Sequence, residues 1–218
     1  MEEEKKLSIL IVGQGLAGSI LADRLIARGT HVHLVDKAEP SNASKIAAGI
    51  VNPITGRRFV LSWMIEDLIA SLISYYQSCE QKFNATFLEE KIISRTLNTV
   101  QEINNWEERA SLPAYGKFMV EDIEVIDRDT HFNTLPELGH IEGFQVNVPE
   151  LVQHFRSYFV QHEMLDEATF DAEALTFEGD QVLYIEKWFD KVVFCEGWAG
   201  QHNPFFNYLP FNLSLIHI

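Results

Sequence analysis

Gly13, Gly15 and Gly18 follow the apolar run Ile9-Leu10-Ile11-Val12 in the pattern Gly-x-Gly-x-x-Gly. Glycines at this spacing can hold a pyrophosphate. The first makes a tight turn, the second lets phosphates approach the backbone, and the third lets a helix pack on a strand. Leu16 and Ala17 fill the variable positions at the start of the following helix. Their N–H groups and the partial positive charge of the helix end favour phosphate. Asp36, with Lys37 beside it, ends the next apolar stretch. Its carboxylate can accept a hydrogen bond from a ribose 2′-hydroxyl and would repel a 2′-phosphate. The chemistry is dinucleotide binding, with FAD or NAD preferred to NADP. A glycine turn in an ordinary strand–helix unit is the competing reading.

The surrounding pattern favours the dinucleotide. Ile9–Val12 reads as a strand buried on both faces, as in parallel sheets. Leu16, Ile20, Leu21 and Leu25 recur at helical spacing, so a helix is expected from about Gly15 to Arg28, stopped by Gly29. His31–Val35 is a second strand. A second informative stretch is Ser44-Lys45-Ile46-Ala47-Ala48-Gly49. Small residues at Ala47, Ala48 and Gly49 let a flat ligand lie against the backbone. A close helix–strand contact needs small residues equally, and on this stretch alone it is the stronger reading.

Taken together, the β-α-β unit and the Ser44–Gly49 segment resemble the FAD-dependent oxidoreductases of the D-amino-acid oxidase and glycine oxidase family. The resemblance resumes over Asp190–Ala199, where Gly197 matches a glycine at which backbone again approaches the pyrophosphate. Cys195 and Glu196 depart from the residues commonest there. The resemblance implies an α/β architecture: a Rossmann-like FAD-binding domain, residues 1–58 and 146–212, with an inserted α+β substrate domain at 59–145. It implies that Ser44, Ala47, Ala48 and Gly49 run along the flavin, and that a residue near Phe170 lies beside the adenine. It also implies oxidation of the C–N bond of a small amine or amino-acid substrate by hydride transfer to the flavin. The family's substrate-clasping Arg and Tyr lie largely beyond the matched part, and no catalytic residue is assigned. Two alternatives stay open: an NAD-linked dehydrogenase, and a flavin- or nucleotide-binding module without catalysis.

The family's pattern continues past Asn212. Leu213-Ser214-Leu215-Ile216-His217-Ile218 matches one reading frame of a common sequencing adapter. The expectation is a C-terminally truncated chain with a non-native tail at 213–218 and no competent activity of its own. A natural short C-terminal strand is the other reading.

Elsewhere the periodicity predicts a helix over about Trp63–Phe83 with Ser62 as N-cap, a strand over Phe87–Leu97 and a helix over Thr99–Arg109. Strands are expected at Lys117–Val120, Ile123–Ile126 and Phe144–Val148, then a helix from Pro149 with Leu151, Val152, Phe155, Tyr158 and Phe159 on its apolar face. Glu167–Phe170 is read as a short strand returning to the parallel sheet. Leu175–Phe177 and Val182–Ile185 flank a turn at Glu178-Gly179-Asp180, and Val192–Cys195 closes the return.

Of the 218 residues, 32 are acidic and 17 basic, giving a net charge of −15. That excess argues against nucleic-acid binding and against adsorption to anionic membranes. No apolar stretch is long enough to cross a bilayer and no secretory signal is evident, so a cytoplasmic location is expected. Cys79 and Cys195 build neither a disulfide framework nor a metal site. His31, His33, His131, His140, His154, His162 and His202 show no ligand spacing, and no Ser-His-Asp arrangement is evident. Oligomeric state is not legible.

Overall fold

The computed structural model describes residues 6–39, 42–125 and 137–211. The readings that involve Pro40, Ile126, His131 and residues 213–218 lie outside these. The chain forms two compact units, one from the residues up to Ala47 together with those from Val148 onward, the other Ala48–Asn147. Residues 48–58, grouped by sequence with the first domain, fall in the second unit.

In the first unit a parallel sheet has the strand order Lys191–Phe194, Ser8–Val12, His31–Val35, Leu165–Asp166. Ser8–Val12 is flanked on both sides, and Leu10 and Ile11 are fully buried. That is why its sequence is an uninterrupted apolar run. The helix Leu16–Ile26 turns Gly18, Ser19 and Ala22 inward. A face of such small residues permits a close approach. Beyond it, Gly29 takes a positive φ of 79° and Thr30 N–H reaches back to Leu25 C=O at 3.1 Å, which closes the helix end. The helix Val148–Gln161 buries Leu151, Val152, Phe155 and Phe159, and with them one charged residue, Arg156.

One strand differs from expectation. The fourth partner of the sheet is Leu165–Asp166, and Glu167–Phe170 lies outside it. The ladder is bracketed by Leu34 N–H to Met164 C=O at 2.7 Å and Asp36 N–H to Asp166 C=O at 3.1 Å. His31–Val35 ends there, so residues 167–170 have no edge to pair with. A three-stranded antiparallel sheet, Leu175–Glu178, Gln181–Tyr184 and Lys187–Phe189, supplies Leu175, Val182, Tyr184 and Phe189 to one cluster with Leu10, Val12 and Val35. Its third strand, Lys187–Phe189, is only three residues long and lies beyond the expected pair.

The second unit is built on an antiparallel sheet ordered Ile50–Val51, Glu137–Val146, Leu88–Leu97, with Glu124–Val125 also pairing to Glu137–Val146. Its helices are Ile65–Phe83 and Val100–Ala110. Trp106, fully buried, centres a core with Phe59, Leu97 and Ile141. Its indole N–H donates to Val120 C=O at 3.2 Å, and Phe59 meets it edge-on at 5.2 Å.

Three local expectations are corrected here. Glu137–Val146 is a strand far longer than Phe144–Val148, and Val148 begins the next helix. Gly139 and Gly143 conceal the strand in sequence. At Gly139 a Cβ would lie 2.5 Å from the Trp106 ring, so this glycine makes room for the indole. Lys117–Val120 is not a strand: Tyr115 C=O accepts from both Phe118 and Met119 N–H at 2.8 Å, a helical turn with one bridge, Met119 to Ile141. Ser62 does not cap the long helix. Met64 heads it in the left-handed region, while Ser62 N–H donates to Pro53 C=O at 2.9 Å.

Candidate functional site

The three glycines of the first unit are held for different reasons. Gly13 has a φ of +98°, and a Cβ on it would lie 2.5 Å from Cys195 C=O. Gly18 is buried, and its Cβ would lie 1.9 Å from Gly13 C=O. Both are required by the protein's own backbone. Gly15 is not. Its φ of −81° and ψ of −166° suit any residue, and among the described residues its Cβ would approach only the Ser44 side chain, with Oγ at 3.0 Å.

Gly15 is also the N-cap of the helix Leu16–Ile26. The first intrahelical bond runs from Ser19 N–H to Gly15 C=O at 2.9 Å. The N–H groups of Leu16, Ala17 and Gly18 therefore have no partner within the helix. That of Leu16 donates to Ser44 Oγ at 3.0 Å. Ala17 is exposed.

Asp36 stands just past the end of His31–Val35 and is the hub of a polar network. Its Oδ2 accepts from Gln14 N–H at 2.9 Å, and its Oδ1 from Ala38 N–H at 2.8 Å and Arg156 Nη1 at 2.9 Å. Arg156 Nη1 also donates to Gln14 Oε1 at 3.0 Å, and its Nε and Nη2 donate to Glu167 Oε1 at 2.9 and 2.7 Å. Gln14 Nε2 in turn donates to Ser19 Oγ at 2.7 Å and Val152 C=O at 3.1 Å. Gln14 is 2% exposed and Arg156 8%. Sequence reasoning missed both. One signal was available for Arg156: it sits at position i+4 from Val152 and next to Phe155, on the apolar face of its helix.

Burial alone would push the Asp36 carboxyl up. The Gln14 and Ala38 amides and the Arg156 guanidinium outweigh it and hold the carboxyl below its ordinary value. A group depressed on folding stabilises the native state above its unfolded value, and that contribution is lost as pH falls through the folded one. Asp36→Asn should therefore melt below the parent at neutral pH. The gap should narrow once the pH drops beneath the ordinary carboxyl range, near pH 4. A gap unchanged from pH 7 to pH 3 would refute this ion-pair role.

The remaining sequence-predicted residues separate. Lys37 is exposed and pairs with Glu39 at 2.6 Å. Ser44 lies in the short helix Ala43–Ile46, capped by Asn42, and Ala47 follows it, exposed, at the end of the first unit. Ala48 and Gly49 belong to the second unit. Gly49, with φ +69°, is fixed by that unit's own packing: a Cβ would lie 1.8 Å from Val146 C=O, and Val146 N–H donates to Gly49 C=O at 2.8 Å. Phe170 packs against Tyr184 at 5.1 Å and Phe194 at 5.6 Å, partly buried in the apolar cluster. Gly197 is exposed, takes a φ of +56° and begins the short 3-10 segment Gly197–His202.

Two further groups carry side chains capable of chemistry. Burial pushes the Cys195 thiol up, away from the thiolate that makes a cysteine reactive. In the second unit Ser94 Oγ lies 3.0 Å from His140 Nδ1, and His140 Nε2 lies 2.9 Å from Glu124 Oε2. Ser94 and His140 are direct cross-strand partners, so the row follows from sheet register. Among the described residues, no group of three or more His, Cys, Asp or Glu is placed to hold a metal ion, and no helix is long and apolar enough to cross a membrane.

No family model matches the chain. Among solved structures it is similar to glycine oxidase from Bacillus cereus ATCC 14579, with 22% identity over 87% of this chain and 55% of that one, at a TM-score of 0.61. It is similar to glycine oxidase from Geobacillus kaustophilus, with 18% identity over 89% and 57%, at a TM-score of 0.64. It is also similar to iminodiacetate oxidase from Chelativorans sp. BNC1, with 16% identity over 88% and 56%, at a TM-score of 0.62. The fold is thus the mixed α/β fold, with a parallel sheet, of these oxidases. The chain spans little more than half the length of each.

Proposed function

We propose that the first unit binds FAD and that the chain belongs to an oxidoreductase acting on the C–N bond of an amino acid or small amine. The observation that carries the reading is Gly15. Its backbone conformation does not call for glycine, and among the described residues no backbone atom approaches its Cβ position, only the Ser44 side chain. A pyrophosphate drawn against the helix start supplies a reason for glycine there. Gly13 and Gly18 hold the turn, Leu16 opens the helix with its N–H on Ser44 Oγ, Ala17 offers its N–H, and Asp36 accepts from the adenosine ribose, with Lys37 beside it. Gly197 lies along the pyrophosphate, Ser44 and Ala47 toward the flavin, and Phe170 near the adenine. The second unit is read as the beginning of a substrate domain.

The likeness in fold to enzymes named as glycine and iminodiacetate oxidases supports the substrate class. Bound flavin would supply the hydride acceptor, while this chain's residues bind and orient it. Flavin titration followed by fluorescence tests the cofactor, and bleaching of its visible absorption by a panel of amino acids and amines tests the chemistry.

Asp36→Ala removes a charge-assisted hydrogen bond worth about 1.5–3 kcal/mol. FAD affinity should fall by about tenfold to a hundredfold. Equal affinity in parent and variant would sink the ribose role.

A further inference from the structure

We propose that Arg156 is a positioning residue that fixes the Asp36 carboxylate so that it accepts from one ribose hydroxyl and not two. The inference rests on the FAD reading above. A carboxylate offers about four acceptor positions, two on each oxygen. On Asp36 three are taken: Oδ1 by Ala38 N–H and Arg156 Nη1, Oδ2 by Gln14 N–H. One position is left, on Oδ2, the oxygen held by the glycine turn itself.

The guanidinium is anchored independently of Asp36. Glu167 Oε1 takes its Nε and Nη2, and Gln14 Oε1 shares its Nη1. Gln14 is tied in turn to the helix Leu16–Ile26 through Ser19 and to the helix Val148–Gln161 through Val152 C=O. The orientation of Asp36 is therefore set from the turn, from the chain after its own strand and from a helix remote in sequence. Stability alone is a weak reason for such a pair, since a buried ion pair is often no better than two well-packed apolar side chains in its place. A carboxylate oriented before the nucleotide arrives is what such a clamp does provide. It also uses up the cation that would have met a 2′-phosphate.

The test is the affinity of the full chain for ADP, 2′-deoxy-ADP and 3′-deoxy-ADP. The parent should lose about tenfold or more with one deoxy analogue, expected to be the 2′, and less than about threefold with the other. In Arg156→Met that ratio should collapse to less than about threefold, because Oδ1 loses one of its two donors and can then accept from the second hydroxyl. A purely structural role would weaken all three nucleotides together and leave the ratio intact. Arg156→Lys keeps the charge without the fork and should fall between. Glu167→Gln loosens the half-exposed side of the guanidinium and should also lower the ratio, which keeps the test open if Arg156→Met melts below the assay temperature. A parent-like ratio in any folded variant, or equal losses for both analogues in the parent, overturns the inference alone. A parent that binds none of the three overturns the FAD reading with it.

Discussion

Gly15→Val is expected to fold as the parent does and to lose FAD binding by at least about a hundredfold, or ~2.7 kcal/mol. The variant separates binding from folding because the position is open to it. The backbone there is extended, so a β-branched residue meets no φ strain, and among the described residues the near neighbour is the Ser44 side chain, whose Oγ, 3.0 Å from a Cβ, must give by a few tenths of an ångström at some expense to its bond with Leu16 N–H. Valine is a poorer N-cap than glycine, but it also narrows the unfolded ensemble, and the two effects oppose each other. The melting temperature should move by no more than about 1 kcal/mol allows, roughly 2–4 °C for a chain of this size. What changes is the face toward the phosphates, where three carbon atoms would stand. Undiminished flavin fluorescence quenching in a folded Gly15→Val chain would remove the glycine turn from the site.

The sequence announced this turn well because its constraints are local. Ile9–Val12, the three glycines and Asp36 all lie within one β-α-β unit, so their spacing can be read from a short stretch of chain. The clamp around Asp36 is different. Arg156 meets it from a helix far along the chain, and Gln14 occupies a position that the motif leaves variable. No spacing encodes such pairs. Only the oddity of an arginine among Val152, Phe155 and Phe159 hints at a buried partner. The second unit was harder for a related reason. Gly139 and Gly143 interrupt the alternation of Glu137–Val146, yet the first is glycine because the Trp106 ring covers it and the second because Val51 C=O would lie 2.7 Å from a Cβ. Both causes are tertiary. The misplaced strand at 167–170 has the same origin, since its extent is set by where His31–Val35 ends.

Gly49 carries a separate lesson about small residues. The resemblance groups it with Ala47 and Ala48 along the flavin, while the stretch alone favours close packing, and Val146 leaves no room for a side chain there. A substitution at Gly49 would therefore disturb the folding of the second unit whether or not a cofactor lies beside it. Gly15 and Ala17 are less ambiguous, one because its Cβ position meets a side chain and no backbone among the described residues, the other because it is exposed.

Gly18→Ala should show the opposite behaviour to Gly15→Val, three residues away. Its single added carbon would sit 1.9 Å from the carbonyl oxygen of Gly13, far inside contact distance, and the obstacle is backbone that cannot rotate aside. Relief requires the helix Leu16–Ile26 to lift from the sheet, and lifting it uncovers Ala22 and parts Gln14 from Ser19. Overpacking of this kind costs about 1–3 kcal/mol and sometimes more. With backbone on one side and Cys195 Cβ at 3.3 Å on another, the upper end is expected, ~3 kcal/mol. The denaturant midpoint should fall accordingly, and nucleotide affinity should fall with it because the turn is displaced. A Gly18→Ala chain with the parent's denaturant midpoint would mean that helix and strand are not packed as closely as the 1.9 Å distance demands.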